Sequence, residues 1–412
     1  MSFTLDVSAG EITLALDEAI AIALRDNRDM RLKESDVQKA KAKIFESRTG
    51  FLPTVSATAV WSKTSDYYPD KDISQVSAQA TVKQTIYKSG KIINTLQQSR
   101  YGFEVSRAIL DGARLDTVFS VTKAFYTYCL AREYAALNKK ILENTEEHLA
   151  MVVARYRDGQ ASESDVLAIR ESRASVMEAV AASASQVEAA RALLCNLLAL
   201  DKDIAITPRG DFDAGPKEVA YEEAFLEAMS RRPEIRQYVA QEKSSQKAVE
   251  IARADGRPTI YASWDYYNKS HVVGASGITR NWNEHNVLGV TVSWPIFDGW
   301  ATKAKVEQAL IDVKAAGIAK EKTVADIALE LKNAYLDFKD AIAKINSVRA
   351  HVATYKDTEQ VVREKYKEGS ASSLEVSDAS LGYDIAVFNQ RQAFYDYTVA
   401  KALFDTVTGG YA

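Results

Sequence analysis

The chain has 412 residues, 47% of them hydrophobic and 26% charged, the proportions of a folded polypeptide rather than a disordered one. Its 52 basic and 56 acidic side chains leave a formal net charge of -4, so no basic excess exists to neutralise phosphates and nucleic acid is excluded as an expected partner. No apolar run approaches the roughly 18–20 residues of a membrane-spanning helix. The start, Met1-Ser2-Phe3-Thr4-Leu5-Asp6, shows no signal peptide, a feature shared by cytoplasmic proteins and mature exported ones.

In chain order the pattern predicts a helix over about 14–47, strands over about 53–63 and 74–87, a very long helix over about 90–158 and a further helix over about 162–200. The strands alternate strictly: Val55, Ala57, Ala59 and Trp61 with Thr54, Ser56, Thr58 and Ser62, then Val76, Ala78, Ala80 and Val82 with Ser77, Gln79, Thr81 and Lys83. Each therefore has one apolar and one polar face. From Gly112 to Gly159 no Gly or Pro intervenes, and Leu130, Tyr134, Leu137 and Ile141 recur at steps of four and three, the seam of helices packed as a coiled coil.

The same order then repeats: a helix over about 221–254, strands over about 258–268 and 286–297, a long helix over about 300–368 and a last helix over about 372–408. Pro53-Thr54-Val55-Ser56-Ala57 returns as Pro258-Thr259-Ile260-Tyr261-Ala262. Arg155-Tyr156-Arg157-Asp158-Gly159 returns as Lys365-Tyr366-Lys367-Glu368-Gly369. We read a tandem duplication, with repeats over 1–210 and 211–412. Leu331, Tyr335, Phe338, Ile342 and Ile345 carry the second heptad seam. A helix of ~70 residues runs ~100 Å at 1.5 Å per residue, which predicts a rod or tube rather than a globule.

Four strands of roughly 10–12 residues match the length that crosses a bilayer at a tilt. Four cannot close a barrel, so membrane strands here require several copies; two copies give a barrel filled by side chains, and three give twelve strands around water. Trp61, Tyr67, Tyr68, Trp264, Tyr266, Tyr267, Trp282 and Trp294 are expected near strand ends, where interfacial aromatics belong. A soluble pair of hairpins with one face packed on protein accounts for the same alternation.

At this point the residues resemble a known family. Leu14-Ala15-Leu16-Asp17-Glu18-Ala19-Ile20 is similar to the opening helix of the TolC family of outer-membrane efflux proteins. Trp294-Pro295-Ile296-Phe297-Asp298-Gly299 is similar to its strand-to-helix junction, and the stretches Tyr156 to Ser162 and Tyr366 to Ser372 to its helix tips. The resemblance implies a mainly α fold with a membrane β part: a homotrimer with a twelve-strand barrel in the outer-membrane lipid and a long periplasmic helical tube. It implies a periplasmic adaptor and an inner-membrane pump as partners. Two departures stand out. The family's Asn-Pro pair is Asn27-Arg28 here, and the position of an arginine that helps hold the best-known member closed is Ala371.

No catalytic constellation is present: His148, His271, His285 and His351 have no metal-ligand spacing, and no cofactor motif occurs. Asp66, Asp70 and Asp72 read as a solvated outer loop, with Ca²⁺ binding the sharper alternative. Cys129 and Cys195 are too few for a disulfide framework and read as small buried side chains, a bridge being the alternative. The resemblance makes the helix tips the functional place. Arg155, Tyr156, Gly159, Lys365 and Gly369 are candidate adaptor contacts, and Asp165, Tyr366, Glu375 and Asp378 a candidate periplasmic gate. Asp165 is the expected partner of a basic group across the closed mouth. The alternative to a duct is a soluble coiled-coil scaffold; an enzyme has no support.

Overall fold

The computed structural model describes residues 11–68, 71–201, 204–209, 219–273 and 281–410. Six strands and eight helices appear among them: β1 (Glu11–Ala15), α1 (Leu16–Asp26), α2 (Arg28–Arg48), β2 (Thr54–Tyr68), β3 (Lys71–Tyr87), α3 (Lys91–Arg157), α4 (Glu163–Leu197), β4 (Ala205–Arg209), α5 (Tyr221–Arg231), α6 (Pro233–Ala254), β5 (Thr259–Val273), β6 (Asn281–Ser293), α7 (Ala301–Lys367) and α8 (Ser373–Val407). The lengths echo the repeat: α3 and α7 have 67 residues each, and α4 and α8 have 35 each.

Three expectations are corrected. Each opening helix is two helices, broken at Asn27 and at Arg232, whose backbones are extended (ψ 134° and 124°). In the second copy Pro233 forces this, because a proline ring disfavours helical geometry at the residue before it and suits the first helical turn. In the first copy no proline acts; the Asn27 carboxamide accepts from the Asp29 and Met30 amides at 2.8 and 3.3 Å and caps α2 itself. Second, Leu14 and Ala15 belong to a strand, and β1 pairs in parallel with β4, neither of which the pattern signalled. Third, the sheet strands run to 15, 17, 15 and 13 residues. The strands continue past the alternating stretch, so Trp61 and Trp264 lie within strands rather than at their ends.

Contacts divide the chain into two compact units, each taking segments from both repeats. The first comprises 1–34, 110–233 and 324–412. In it Val121, Phe125 and Tyr128 of α3 pack with Leu194, Cys195 and Leu198 at the end of α4, with Ile22 of α1, and with Ile12 and Ile206 of the two short strands. The Tyr128 hydroxyl donates to the Ile206 carbonyl at 2.8 Å, so the one polar atom of that ring is satisfied. The second copy builds its equivalent from Leu331, Phe338 and Ile345 of α7, a seven-residue step, against Tyr397 and Phe404 of α8. Phe338 stacks on both rings, 5.5 and 5.4 Å between centroids.

The second unit comprises 35–109 and 234–323 and holds one antiparallel sheet in the order β2-β3-β5-β6. Thr54 pairs with Lys83 in the first hairpin and Thr259 with Ser293 in the second. The first partner thus shifts by 205 residues and the second by 210, so the two hairpins share one register and the five extra residues of copy two lie in its connection. No helix among the described residues is long and apolar enough to cross a membrane.

Candidate functional sites at the helix tips and the sheet edges

The two helix tips are built alike from local chemistry. At the end of α3 the Gly159 amide donates to the Tyr156 carbonyl (3.1 Å) and the Gln160 amide to the Arg155 carbonyl (2.8 Å). At the end of α7 the Gly369 amide donates to Tyr366 (3.0 Å) and the Ser370 amide to Lys365 (2.9 Å). These paired bonds satisfy carbonyls that a helix end leaves open, and they require a left-handed residue after the last turn. Gly159 and Gly369 supply it, with φ of 72° and 75°. Three residues on, α4 and α8 start with matching caps. The Ser162 amide and hydroxyl donate to Asp165 at 2.9 and 2.7 Å, and the Ser372 amide and hydroxyl to Glu375 at 2.6 and 3.0 Å. Each serine oxygen in turn accepts from the backbone amide of its acid.

The structure therefore gives Asp165 and Glu375 a role beside any gating one. The Ser162 hydroxyl and amide hold the Asp165 carboxyl below the usual range; for Glu375 the Ser372 amide leads, followed by its hydroxyl. Within the chain Asp165 bonds the start of its own helix. Asp378, one turn beyond Glu375, is brought to α3, where His148 Nε2 lies 3.0 Å from its carboxylate. Tyr156 and Tyr366 are about half exposed at 45% and 50%, and Arg155 and Lys365 stand in the last turns of α3 and α7, where positive charge complements the helix dipole. Both tips thus present an exposed tyrosine, a basic residue and a glycine turn. The Ser-x-x-Asp and Ser-x-x-Glu spacing is the sequence signal that could have found these caps; the His148–Asp378 pairing, 230 residues apart, left none.

The sheet is the second candidate. Among the described residues β2 and β6 are each paired along one side only. One face carries Val55, Trp61, Leu288, Val290 and Val292, all more than 60% exposed. The other carries a polar network: Thr81 donates to Asp265 at 2.6 Å, Gln79 to Asp265 and to the Tyr267 hydroxyl at 3.1 Å each, and Ser263 to Asp265 at 3.1 Å. The side chains of Asp66 and Asp72, and all of Asp70, lie outside the described residues, as does the Trp282 side chain. Among the described residues no group of three His, Cys, Asp or Glu is placed to hold a metal ion. Cys129 and Cys195 are both free thiols. Burial pushes Cys129 up to about 12, with Glu133 adding to the effect.

A family model described as outer membrane efflux protein matches residues 19–200 and 226–410. The probable outer membrane lipoprotein SilC of Salmonella typhimurium is 22% identical, over 95% of this chain and 85% of its own length. The cation efflux system protein CusC of Escherichia coli O157:H7 is 21% identical over the same shares. The antibiotic efflux pump outer membrane protein ArpC of Pseudomonas putida is 24% identical over 89% of this chain and 76% of its own. Among solved structures, the Campylobacter jejuni CmeC outer membrane channel superposes with a TM-score of 0.78 at 18% identity, covering 96% of this chain and 85% of that one. The open state of the Neisseria gonorrhoeae MtrE outer membrane channel gives 0.75 at 20% identity, covering 100% and 95%.

Proposed function

Since the chain belongs to the outer membrane efflux protein family, we propose that three copies form a passive exit duct, without a catalytic step, whose sheets join into one twelve-strand barrel. The observation that carries this reading is the sheet itself. It has four strands, two unpaired edges and an exposed apolar face. Open edges do not survive in hydrocarbon, where each unsatisfied amide or carbonyl costs several kcal/mol. Three sheets close the ring and leave a water-filled bore lined by the polar face, while the apolar face meets outer-membrane lipid.

The helices extend the duct into the periplasm. An inner-membrane pump delivers cargo, and a periplasmic adaptor engages the turns at Gly159 and Gly369 with Arg155, Tyr156 and Lys365. The gate comprises Asp165, Tyr366, Glu375 and Asp378. In three copies Glu375 and Asp378 make six carboxylates around the mouth, a ring that repels anions and favours cations. The cap hydrogen bonds from the Ser372 amide and hydroxyl favour the charged form of Glu375. Adaptor docking biases the tip helices toward an open arrangement and adds no chemistry. Relatives named for cation efflux and for antibiotic efflux are similar to this chain to nearly the same degree, so the reading extends to a duct and not to a cargo.

The test is fractionation followed by conductance. The protein, exported behind a signal peptide, is expected in the outer membrane, extracted only by detergent, as a heat-sensitive trimer that conducts ions across a planar bilayer. A stable monomer free of detergent refutes the duct.

A further inference from the structure

The two acids at the start of α8 are held in different ways. Glu375 is bound into the cap of its own helix by the Ser372 amide and hydroxyl at 2.6 and 3.0 Å. Asp378, half exposed and one turn on, is held from another helix: His148 Nε2 of α3 lies 3.0 Å from its carboxylate. Ser377 fixes the register beside this contact. The Asn144 amide group donates to the Ser377 hydroxyl at 2.7 Å, and that hydroxyl donates to Glu147 at 3.4 Å. Asn144, Glu147 and His148 share one face of α3, so these bonds place the imidazole opposite Asp378.

We propose that His148 is a selectivity-determining residue of the mouth, its proton state setting how much carboxylate charge a passing cation meets. This rests on the carboxylate ring of the proposed trimer and adds the regulation of that ring by pH. An ionised carboxylate only accepts hydrogen bonds, so the neutral imidazole presents Nε2–H to Asp378 and leaves Nδ1 without a hydrogen. Nδ1 is therefore the atom that gains a proton in acid, and histidine is the side chain whose ordinary titration lies between pH 5 and 8. The His148 side chain is 24% exposed, which gives it water to exchange a proton with. Once charged, an imidazolium 3.0 Å from the carboxylate turns a net charge into a short dipole. An ion several ångströms away then feels little of it, and the charge left at the mouth is that of Glu375. The other charged groups around the contact are of types that ordinarily titrate outside that range. They are Glu375 on α8, Glu147 on α3, the Lys140–Asp384 pair two turns up the same seam, and Arg173 of α4, which pairs with Glu146 at 2.9 Å.

The contact is an addition to the repeat and not a consequence of it. The two tips share their turns and their serine caps, yet the residues 210 positions from His148 and Asp378 are Thr358 and Ala168. Neither can titrate. Copy one keeps the capping acid, Asp165, and lacks the second one. The uncapped acid and the imidazole that faces it thus occur together, in one helix seam and not in its counterpart.

Reversal potentials in a potassium chloride gradient test this on the full-length protein in planar bilayers, at about pH 8 and about pH 5.5, on either side of ordinary histidine titration. The wild-type reversal potential is expected to fall by about half in acid, because the potential at the mouth scales with its charge. His148→Gln keeps a donor for Asp378 but takes up no proton, and is expected to hold the alkaline value at both pH values. His148→Arg carries a fixed charge and is expected to show the low value at both. His271, His285 and His351 remain in every variant, so the difference between wild type and His148→Gln belongs to His148 alone. Each variant is first recovered from outer membranes as a heat-sensitive trimer, and the wild-type pH response is a test that needs no variant. A cation preference in wild type that ignores pH, or one that falls equally in His148→Gln, overturns the role of His148 and leaves the ring standing. No cation preference in wild type at alkaline pH overturns the ring and this role with it.

Discussion

Four helices of this chain end in the same hydrogen-bonded turn, and the residue in its left-handed position predicts a graded series of stabilities. Gly159, Ala199, Gly369 and Gly409 hold it, with φ of 72°, 54°, 75° and 76°. Around Gly159 and Gly369 an added Cβ meets nothing within 4 Å. Alanine there suffers only the left-handed backbone penalty, about 1–2 kcal/mol. At Gly409 the same Cβ would lie 3.0 Å from Arg231 Cβ, 3.1 Å from the Arg231 carbonyl carbon and 3.2 Å from the Arg232 nitrogen. Two of those atoms are backbone and cannot rotate away, so an overpacking cost of about 1–3 kcal/mol adds to the first, for a total of roughly 2–5 kcal/mol. Ala199 is the reciprocal case. Ala199→Gly relieves the penalty and loses about 0.4–1 kcal/mol through the freer unfolded chain, leaving a net gain of up to ~1.6 kcal/mol. Hydrogen exchange of the amides that close each turn (Gln160, Leu200, Ser370 and Gly410) reads local opening without assuming a two-state trimer. At ~1.4 kcal/mol per factor of ten, Gly159→Ala speeds exchange by roughly tenfold, Gly409→Ala by thirtyfold or more, and Ala199→Gly slows it by a few-fold. Equal effects at Gly159 and Gly409, or faster exchange in Ala199→Gly, would refute the reasoning.

Other perturbations act on single contacts. Asn27 is 6% exposed and its Nδ2 donates to the Leu197 carbonyl at 2.8 Å; Asn27→Ala removes both this bond and the cap on α2, and lowers stability by about 2–4 kcal/mol, seen as a lower heat-dissociation temperature of the trimer. Because Asp165 and Glu375 are depressed by their caps, their stabilisation is complete above the ordinary carboxylate pKa of about 4 and is lost only as pH falls through the lower folded values; exchange at the Ser162 and Ser372 amides should be insensitive to pH between neutrality and about 5 once intrinsic rates are divided out, and loosening within that window contradicts the assignment. Glu375→Gln with Asp378→Asn should abolish cation preference in planar bilayers, and an unchanged reversal potential removes the carboxylate ring. Ala174→Cys with Ala350→Cys should join copies by disulfides and hold conductance at its resting level, while Lys140→Cys with Asp384→Cys closes within one chain and leaves adaptor-induced opening intact; the opposite pattern places opening inside the protomer.

Period and punctuation carried most of the architecture. The Gly- and Pro-free tracts over 113–158 and 318–368 marked the lower parts of α3 and α7, where nothing competes with the helix, and the heptad seam (Leu331, Phe338, Ile345) is the buried one. The helix break at Asn27 was illegible because its cause is tertiary: the carboxamide serves α2 and, across 170 residues, the end of α4. In the second copy Pro233 carried a signal for the break that the expected helix over about 221–254 passed over. The strands β1 and β4 are too short for a period to emerge, and their pairing depends on Tyr128 and the α3–α4 core beneath them. At the tips the glycines, tyrosines and acids were named from the sequence. What the acids touch was not, since the cap is a local backbone matter and His148 arrives from another repeat.

The duplication also distributes charge unequally between two kinds of helix seam. Inside the chain α3 is joined to α8 by Lys140–Asp384 at 2.8 Å, His148–Asp378 at 3.0 Å and the Arg391–Glu133 pair. In the proposed trimer α7 meets α4 of the next copy in the equivalent way, and the residues 210 positions away are Ala350 with Ala174, Thr358 with Ala168 and Ala343 with Ala181. All three contacts are replaced by small neutral side chains. Exposed pairs contribute only about 0–1 kcal/mol each, so the charges decide little about overall stability. They do decide register, because an ion pair resists sliding along the helix axis and an alanine seam does not. A duct that must open and reseal while remaining one assembly needs a compliant joint. In the proposed trimer these substitutions would put that joint between copies and leave each protomer to move as a tied unit.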